Sequence, residues 1–209
     1  MKLKSNSLSL LLGYFILILL QQIAFQFIHN NDLLYPVQTI LNLLGAISLI
    51  WLTLHFKYKN KLEEKKAVIW QSLLWMLGGV IIVLTVQRVL LWFETAFLQQ
   101  PVISENTSQL MAVAGKYPYY LLVIVFTEPI IEELIYRKVL FGNFSYWFKP
   151  WQTALFSSLL FALGHGDGHF LTYTAIGLIF CLVYERTGKI QGSMATHILM
   201  NLLVLLLLN

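Results

Sequence analysis

The sequence predicts an all-α, polytopic transmembrane bundle of about seven spans with a cytoplasmic N-terminus. Three observations carry this. The 209 residues are 58% hydrophobic and 11% charged, whereas soluble globular chains carry roughly 25% charged residues. The mean hydropathy is +0.71. Apolar runs close to the roughly 20 residues that cross a bilayer recur along the chain, and the cations crowd into alternate breaks between them.

Lys2 and Lys4 precede an uncharged run over 5–31, with bulky Leu10 to Leu20 inside it. This is longer than the roughly 7–15 apolar residues of a signal peptide, so it reads as a first span. After the polar turn at 29–32, a second span covers 33–56; Pro36 near its start is tolerable there. The stretch Lys57 to Lys66 carries five lysines against two glutamates. A third span is expected over 67–89, with Arg88 snorkelling near its end. Residues 90–118 read as part helical extension, part interfacial loop.

The fourth span, 119–141, contains Glu132, Glu133 and Arg137. The fifth starts near Trp151 and ends in Gly164-His165-Gly166-Asp167-Gly168-His169, where three glycines among six residues break the helix. The sixth covers 170–184, then a turn with Gly188 as its stop, and the seventh 190–208. Odd-side segments hold twelve of the fourteen cations, including Lys149, Arg186 and Lys189; the other side holds Arg88 and Lys116. Positive residues mark the cytoplasmic side, which fixes the expected orientation in a plasma membrane. The chain reads as one structural unit, with N-terminal spans and a loop over 1–118 and the chemistry over 119–209. Cys181 is the single cysteine and has no intrachain partner. No basic, aromatic-interleaved face points to nucleic acid. The lipid bilayer is the surrounding partner.

Ionisable groups at membrane depth are functional-site candidates. Glu133 and Arg137 share a helical face by their spacing. Glu132 is rotated about 100° from Glu133, so one acid can be held by the arginine while the other points elsewhere. Glu128 shares the face of Glu132. The second polar set is Phe161 with His165, and the third is His197 with Asn201, again four residues apart. At 1.5 Å per residue, measured from the lysine-rich end, Glu132 lies about 15 Å deep, His165 about 20 Å, His197 about 10 Å and Asn201 about 16 Å. That overlap predicts one buried site opening toward the cytoplasm. His169 and Asp167 read as interfacial loop residues, as do His29 and His55 at span ends.

Amide hydrolysis needs a base for water, donors for the oxyanion and a proton for the leaving amine. Poor solvation strengthens a carboxylate as a base, histidine can share the water or protonate the amine, and asparagine or a second histidine can hold the oxyanion. No serine or cysteine is placed as a nucleophile. Glu132, His165 and His197 could instead hold zinc or another divalent metal with an open position, so cofactor use stays open. A transporter or proton relay would also use intramembrane acids, but the inverted repeats common in transporters are not apparent.

Glu132-Glu133-x-x-x-Arg137, Phe161-x-x-x-His165 and His197-x-x-x-Asn201, in this order on separate apolar segments, resemble the CPBP family of type II CAAX prenyl endopeptidases and Abi proteins. Tyr184 to Gly188 and Gly192-Ser193 fall in the usual places. The resemblance covers about 119–207 and implies a helical intramembrane endopeptidase acting on a peptide or membrane-protein segment. It assigns Glu132 as general base with His165 as partner, Glu133 and Arg137 as support, His197 and Asn201 as oxyanion holders, and Phe161 as packing. Members are described both as metalloproteases and as using glutamate-activated water without metal. The chain departs at Tyr136, where phenylalanine is frequent, and at Lys138, where glycine is common; Lys138 is expected to add charge at the cytoplasmic mouth. CAAX-type processing and bacteriocin self-immunity both fall within the resemblance. The alternative is a non-proteolytic membrane immunity or interaction protein that protects against an antimicrobial peptide.

Overall fold

The structure, a computed structural model, describes residues 2–64 and 66–208. Lys65 and the side chain of Lys2, two of the counted cations, lie outside what is described. The described chain is helical throughout, with no strand: α1 (Lys2–Phe27), α2 (Asn31–Phe56), α3 (Ile69–Leu98), α4 (Glu105–Lys116), α5 (Glu128–Glu132), α6 (Pro150–His165), α7 (Phe170–Thr187) and α8 (Ile190–Leu208). Four of these, α1, α2, α3 and α8, are long and apolar enough to cross a membrane. Large apolar side chains such as Phe15, Ile47, Trp51 and Ile81 stand exposed around the outside. An apolar surface of this extent suits lipid and not water.

The expected fourth span is not one uniform helix. The α-helical turn α5 is flanked by π-helical stretches at Val123–Thr127 and Glu133–Asn143. Pro129 supplies no N–H to the ladder here, and wider i→i+5 winding is often found at functional sites. This helix is central. On one side Ile131, Leu134 and Ile135 pack against Leu10 and Leu17 of α1 and Ala46 and Leu49 of α2. On the other, Phe161, Ile176, Phe180 and Met200 form a core with Val83 of α3. Gly79 lets α3 approach α7 and α8 closely, since a Cβ there would lie 2.7 Å from Val183 Cγ2.

At the lysine-rich end a polar network ties the loop to the bundle. Asn60 caps the short turn Lys61–Glu63. Its Nδ2 donates to the Tyr184 hydroxyl (2.8 Å), which donates to Glu63 Oε1 (3.0 Å). Asn143 Nδ2 donates to Asn6 Oδ1 and Ser7 Oγ of α1. Lys138 is buried here, paired with Glu63 and donating to Tyr58 O at 3.0 Å. Lys138, expected to add charge at the cytoplasmic mouth, is therefore a buried and neutralised cation. A buried ammonium needs an anion and acceptors, and the lysine-rich loop folds back to supply them.

At the opposite end, α3 runs nine residues past the expected limit at Val89, to Leu98. Its Glu94 is fully buried and serves the start of α7. It accepts from Leu171 N–H (2.8 Å), Thr172 N–H (3.3 Å) and the Thr172 hydroxyl (2.6 Å), and contacts His169 Nδ1 at 3.0 Å. A helix N-terminus presents unsatisfied amides and a positive dipole end, and Glu94 answers both. His169 is thus a buried partner of Glu94 and not an interfacial loop residue. Asp167 accepts from the Ser104 and Tyr173 hydroxyls. The positive φ of Gly166 and Gly168 folds the break tightly enough to turn His169 inward.

Candidate active site

The helix around α5 divides the two acids between two environments. Glu133 is fully buried behind the site. Arg137 Nη1 lies 3.2 Å from its Oε1, Ser193 donates to its Oε2, and His197 Nδ1 lies 3.0 Å from Oε1. The guanidinium also donates to Gly177 O (3.4 Å) and lies over the Phe161 ring, with Cζ 4.3 Å from the centroid. Phe161, expected as packing, is the plate on which Arg137 rests.

Glu132 points the other way, into a chamber of about 270 Å³. Glu128, His165, His197 and Asn201 line the same chamber, with Phe161, Ile176 and Met200 as apolar wall. All four polar groups expected to meet at one depth are therefore brought together, and Glu133 and Arg137 stand outside the lining.

Two imidazoles are oriented by what they bond. His165 Nδ1 lies 2.8 Å from Phe161 O. A carbonyl only accepts, so Nδ1 carries the hydrogen and Nε2 keeps a lone pair. The ring stacks on Tyr173 at 3.8 Å between centroids. His197 Nδ1 faces the Glu133 carboxylate by the same logic, which aims Nε2 at Glu132 Oε2, 3.7 Å away. A water in hydrogen-bond reach of both atoms fits that separation. The imidazole nearest Glu132 is thus His197, and His165 joins from α6. Asn201 Nδ2 donates to Ile124 O (2.9 Å), which fixes the amide and leaves its second N–H available.

Among the described residues no group of three or more His, Cys, Asp or Glu side chains is disposed to hold an ion, so Glu132, His165 and His197 do not form a ligand cluster as placed. The Nδ1 contacts of His165 and His197 leave each Nε2 free, an arrangement that suits a bound water and a metal alike.

His165 closes α6, Tyr173 lies in the first turn of α7, Val204 and Leu205 lie near the end of α8, and Asn106, Thr107 and Leu110 of α4 lie over them. The lining of the chamber therefore gathers toward the end opposite the lysine-rich loop. The way to that loop is filled by the Glu133–Arg137 pair and by the Lys138–Glu63 and Asn60–Asn143 contacts. Two participants had no role assigned from the sequence. Ser193, named there only within the resemblance, sits four residues before His197 and so shares its face, a spacing that could have flagged it. Tyr173, seven residues from Phe180, carries no such signal.

Such a molecule is a helical membrane protein with two carboxylates and two histidines lining an internal chamber. Comparison with known proteins makes this specific. Residues 114–203 match the family described as type II CAAX prenyl endopeptidase Rce1-like. Over 173 residues the chain is 32% identical to the membrane-embedded CAAX protease MroQ of Staphylococcus aureus (strain USA300), spanning 79% of this chain and 70% of that protein. It is 30% identical over 171 residues to YdiL of Bacillus subtilis (strain 168), a candidate membrane peptidase by name, spanning 81% and 70%. Lactococcus lactis YbdI is 30% identical over 143 residues, spanning 65% and 76%. No solved structure matches. The chain belongs to the Rce1-like CAAX prenyl endopeptidase family, as the three motifs implied, and is a multi-pass membrane peptidase.

Proposed function

We propose that this chain is an intramembrane endopeptidase in which Glu132 is the general base. The observation that supports it is the division of the acid pair: Glu132 faces the chamber and a histidine nitrogen, while Glu133 is held behind by Arg137, Ser193 and His197. Glu132 takes a proton from water as the water oxygen adds to the scissile carbonyl carbon. The free N–H of Asn201 holds the oxyanion. His197 adds a donor at Nε2 as imidazolium, with Glu133 as countercharge behind the ring. The C–N bond then breaks as the leaving amine takes the proton held by Glu132, directly or relayed through His165 Nε2, and Glu132 returns to carboxylate.

The substrate is a peptide or a membrane-protein segment. The name of the Staphylococcus aureus relative, a CAAX protease, supports CAAX-type processing over self-immunity. Substrate trapping with Glu132→Gln in the native membrane tests this reading. A peptide should accumulate on the variant and not on the wild type; equal capture by both would overturn it. An antimicrobial peptide in the trap would move the role to immunity.

The orientation belongs to the same proposal: N-terminus and lysine-rich loop cytoplasmic, chamber mouth on the opposite face. Lys59→Cys and Gly115→Cys, both at exposed positions, report it. In intact cells an impermeant maleimide should label Gly115→Cys, and Lys59→Cys only after permeabilisation. The reverse pattern turns the protein over.

A further inference from the structure

We propose that the active-site chamber draws its water through a separate polar vestibule between α1 and α2, joined to the chamber at Glu128. This rests on the peptidase reading, because a hydrolytic site consumes one water per bond cleaved: its oxygen joins the acyl carbon and one hydrogen leaves on the amine.

The vestibule has a volume of about 280 Å³ and is lined by Gln21, Gln22, Gln38, Asn42, Tyr120 and Glu128, with Phe25 at its edge. A cavity needs only about 10–15 Å³ to hold one water, provided that the walls offer polar partners. Here they do, and in an unusual place. Both α1 and α2 are long and apolar enough to cross a membrane, and Gln38 lies seven residues into α2, about 10 Å along its axis. Amide side chains at such depth must find hydrogen-bond partners. The Tyr120 hydroxyl reaches Gln38 Oε1 at 3.4 Å, and Asn42 Nδ2 donates to Gln38 O at 3.1 Å.

Glu128 has no hydrogen-bond or salt-bridge partner among the described residues. It is half-buried, and a carboxylate in that setting needs donors that the protein does not supply; water supplies them. Glu128 also lines the catalytic chamber. The α-helical winding of α5 sets it four residues from Glu132 on one face, about 5–6 Å apart at Cβ. The π-helical winding stops at Thr127 and resumes only at Glu133, so this spacing is preserved. On its other flank the chamber shares Gln87 and Thr107 with an apolar groove lined by Leu84, Leu91 and Trp92. A peptide lying through that flank would leave the Glu128 side open to water. Glu128 is a positioning residue in this arrangement: it holds the water file and does not touch substrate.

Cysteine accessibility of the full-length protein in membranes tests the vestibule. In a Cys181→Ala background, Gln38→Cys should react with the charged methanethiosulfonate MTSET at least about 10-fold faster than Ile40→Cys, because only a hydrated thiol forms the reactive thiolate. Ile40 is the control, exposed on the same helix and about 200° round from Gln38. Equal rates would overturn the proposal. The second arm uses a fluorogenic peptide selected by wild-type cleavage from a random-sequence library. MTSET-blocked Gln38→Cys and Glu128→Leu should both lower kcat with KM unchanged, and Glu128→Gln, which keeps hydrogen-bonding capacity, should retain most of it. Unchanged kcat in the first two also overturns it. If the wild type cleaves no peptide, the peptidase reading fails, and the labelling contrast still decides whether the vestibule is wet.

Discussion

Glu132→Ala should lower peptide cleavage by about 10²–10⁴-fold, the usual contribution of a positioned acid–base group, without unfolding the protein. The two halves of this expectation have separate causes. Glu132 is the acid that faces the chamber, 3.7 Å from His197 Nε2, and no arginine or serine is paired with it. Truncating it therefore removes the base while leaving the buried charges of Glu133 and Arg137 matched. Glu132→Gln tightens the test, because it keeps the shape and removes the basicity. Cleavage by membranes carrying equal amounts of each variant gives the rate, and thermal unfolding in detergent gives the fold. Cleavage undiminished in both variants would sink the assignment. His165→Ala should also reduce cleavage, since its Nε2 lone pair is held ready by the Nδ1 contact to Phe161 O.

Much of this site was legible in the sequence because it depends on local spacing. Glu132 and Glu133 differ by one residue, so a helix must aim them apart; Glu133 and Arg137 differ by four, so a helix must bring them together. Similarly, rise per residue placed Glu132, His165, His197 and Asn201 in one layer, and one chamber holds all four. The starts of α6, α7 and α8 followed from proline, glycine and apolar runs. What was not legible depends on contacts between distant segments. Lys138 read as added charge at the mouth because its partner, Glu63, is 75 residues away. His169 looked like a loop residue for the same reason, with Glu94 on another helix. Depth counted from one end likewise does not say which end is filled. The filling at the lysine-rich end is built from single polar residues, Asn6, Asn60 and Asn143, scattered over three segments.

Arg137→Ala should destabilise the fold by about 3–5 kcal/mol, the effect of leaving one member of a buried ion pair unmatched. The environment of Arg137 explains why its loss cannot be made good by solvent. Both side chains of the pair are fully buried. The guanidinium Nε and Nη1 make no hydrogen bond, so the cation is held by the Glu133 charge, by Gly177 O and by the faces of Phe161 and Phe180. Removing it strands the Glu133 carboxylate in the core and opens a space against two aromatic rings. The melting temperature in detergent should fall on the order of 10 °C. Cleavage should fall as well, and one further variant separates the two losses. Glu133→Leu with Arg137→Met replaces the pair by apolar side chains, an exchange often neutral for buried ion pairs, and should recover much of the melting temperature. Cleavage should stay low in that variant, because His197 Nδ1 no longer has the Glu133 acceptor that aims Nε2 at Glu132. Recovery of both stability and cleavage would show that the pair serves the fold alone and that His197 is oriented by something else.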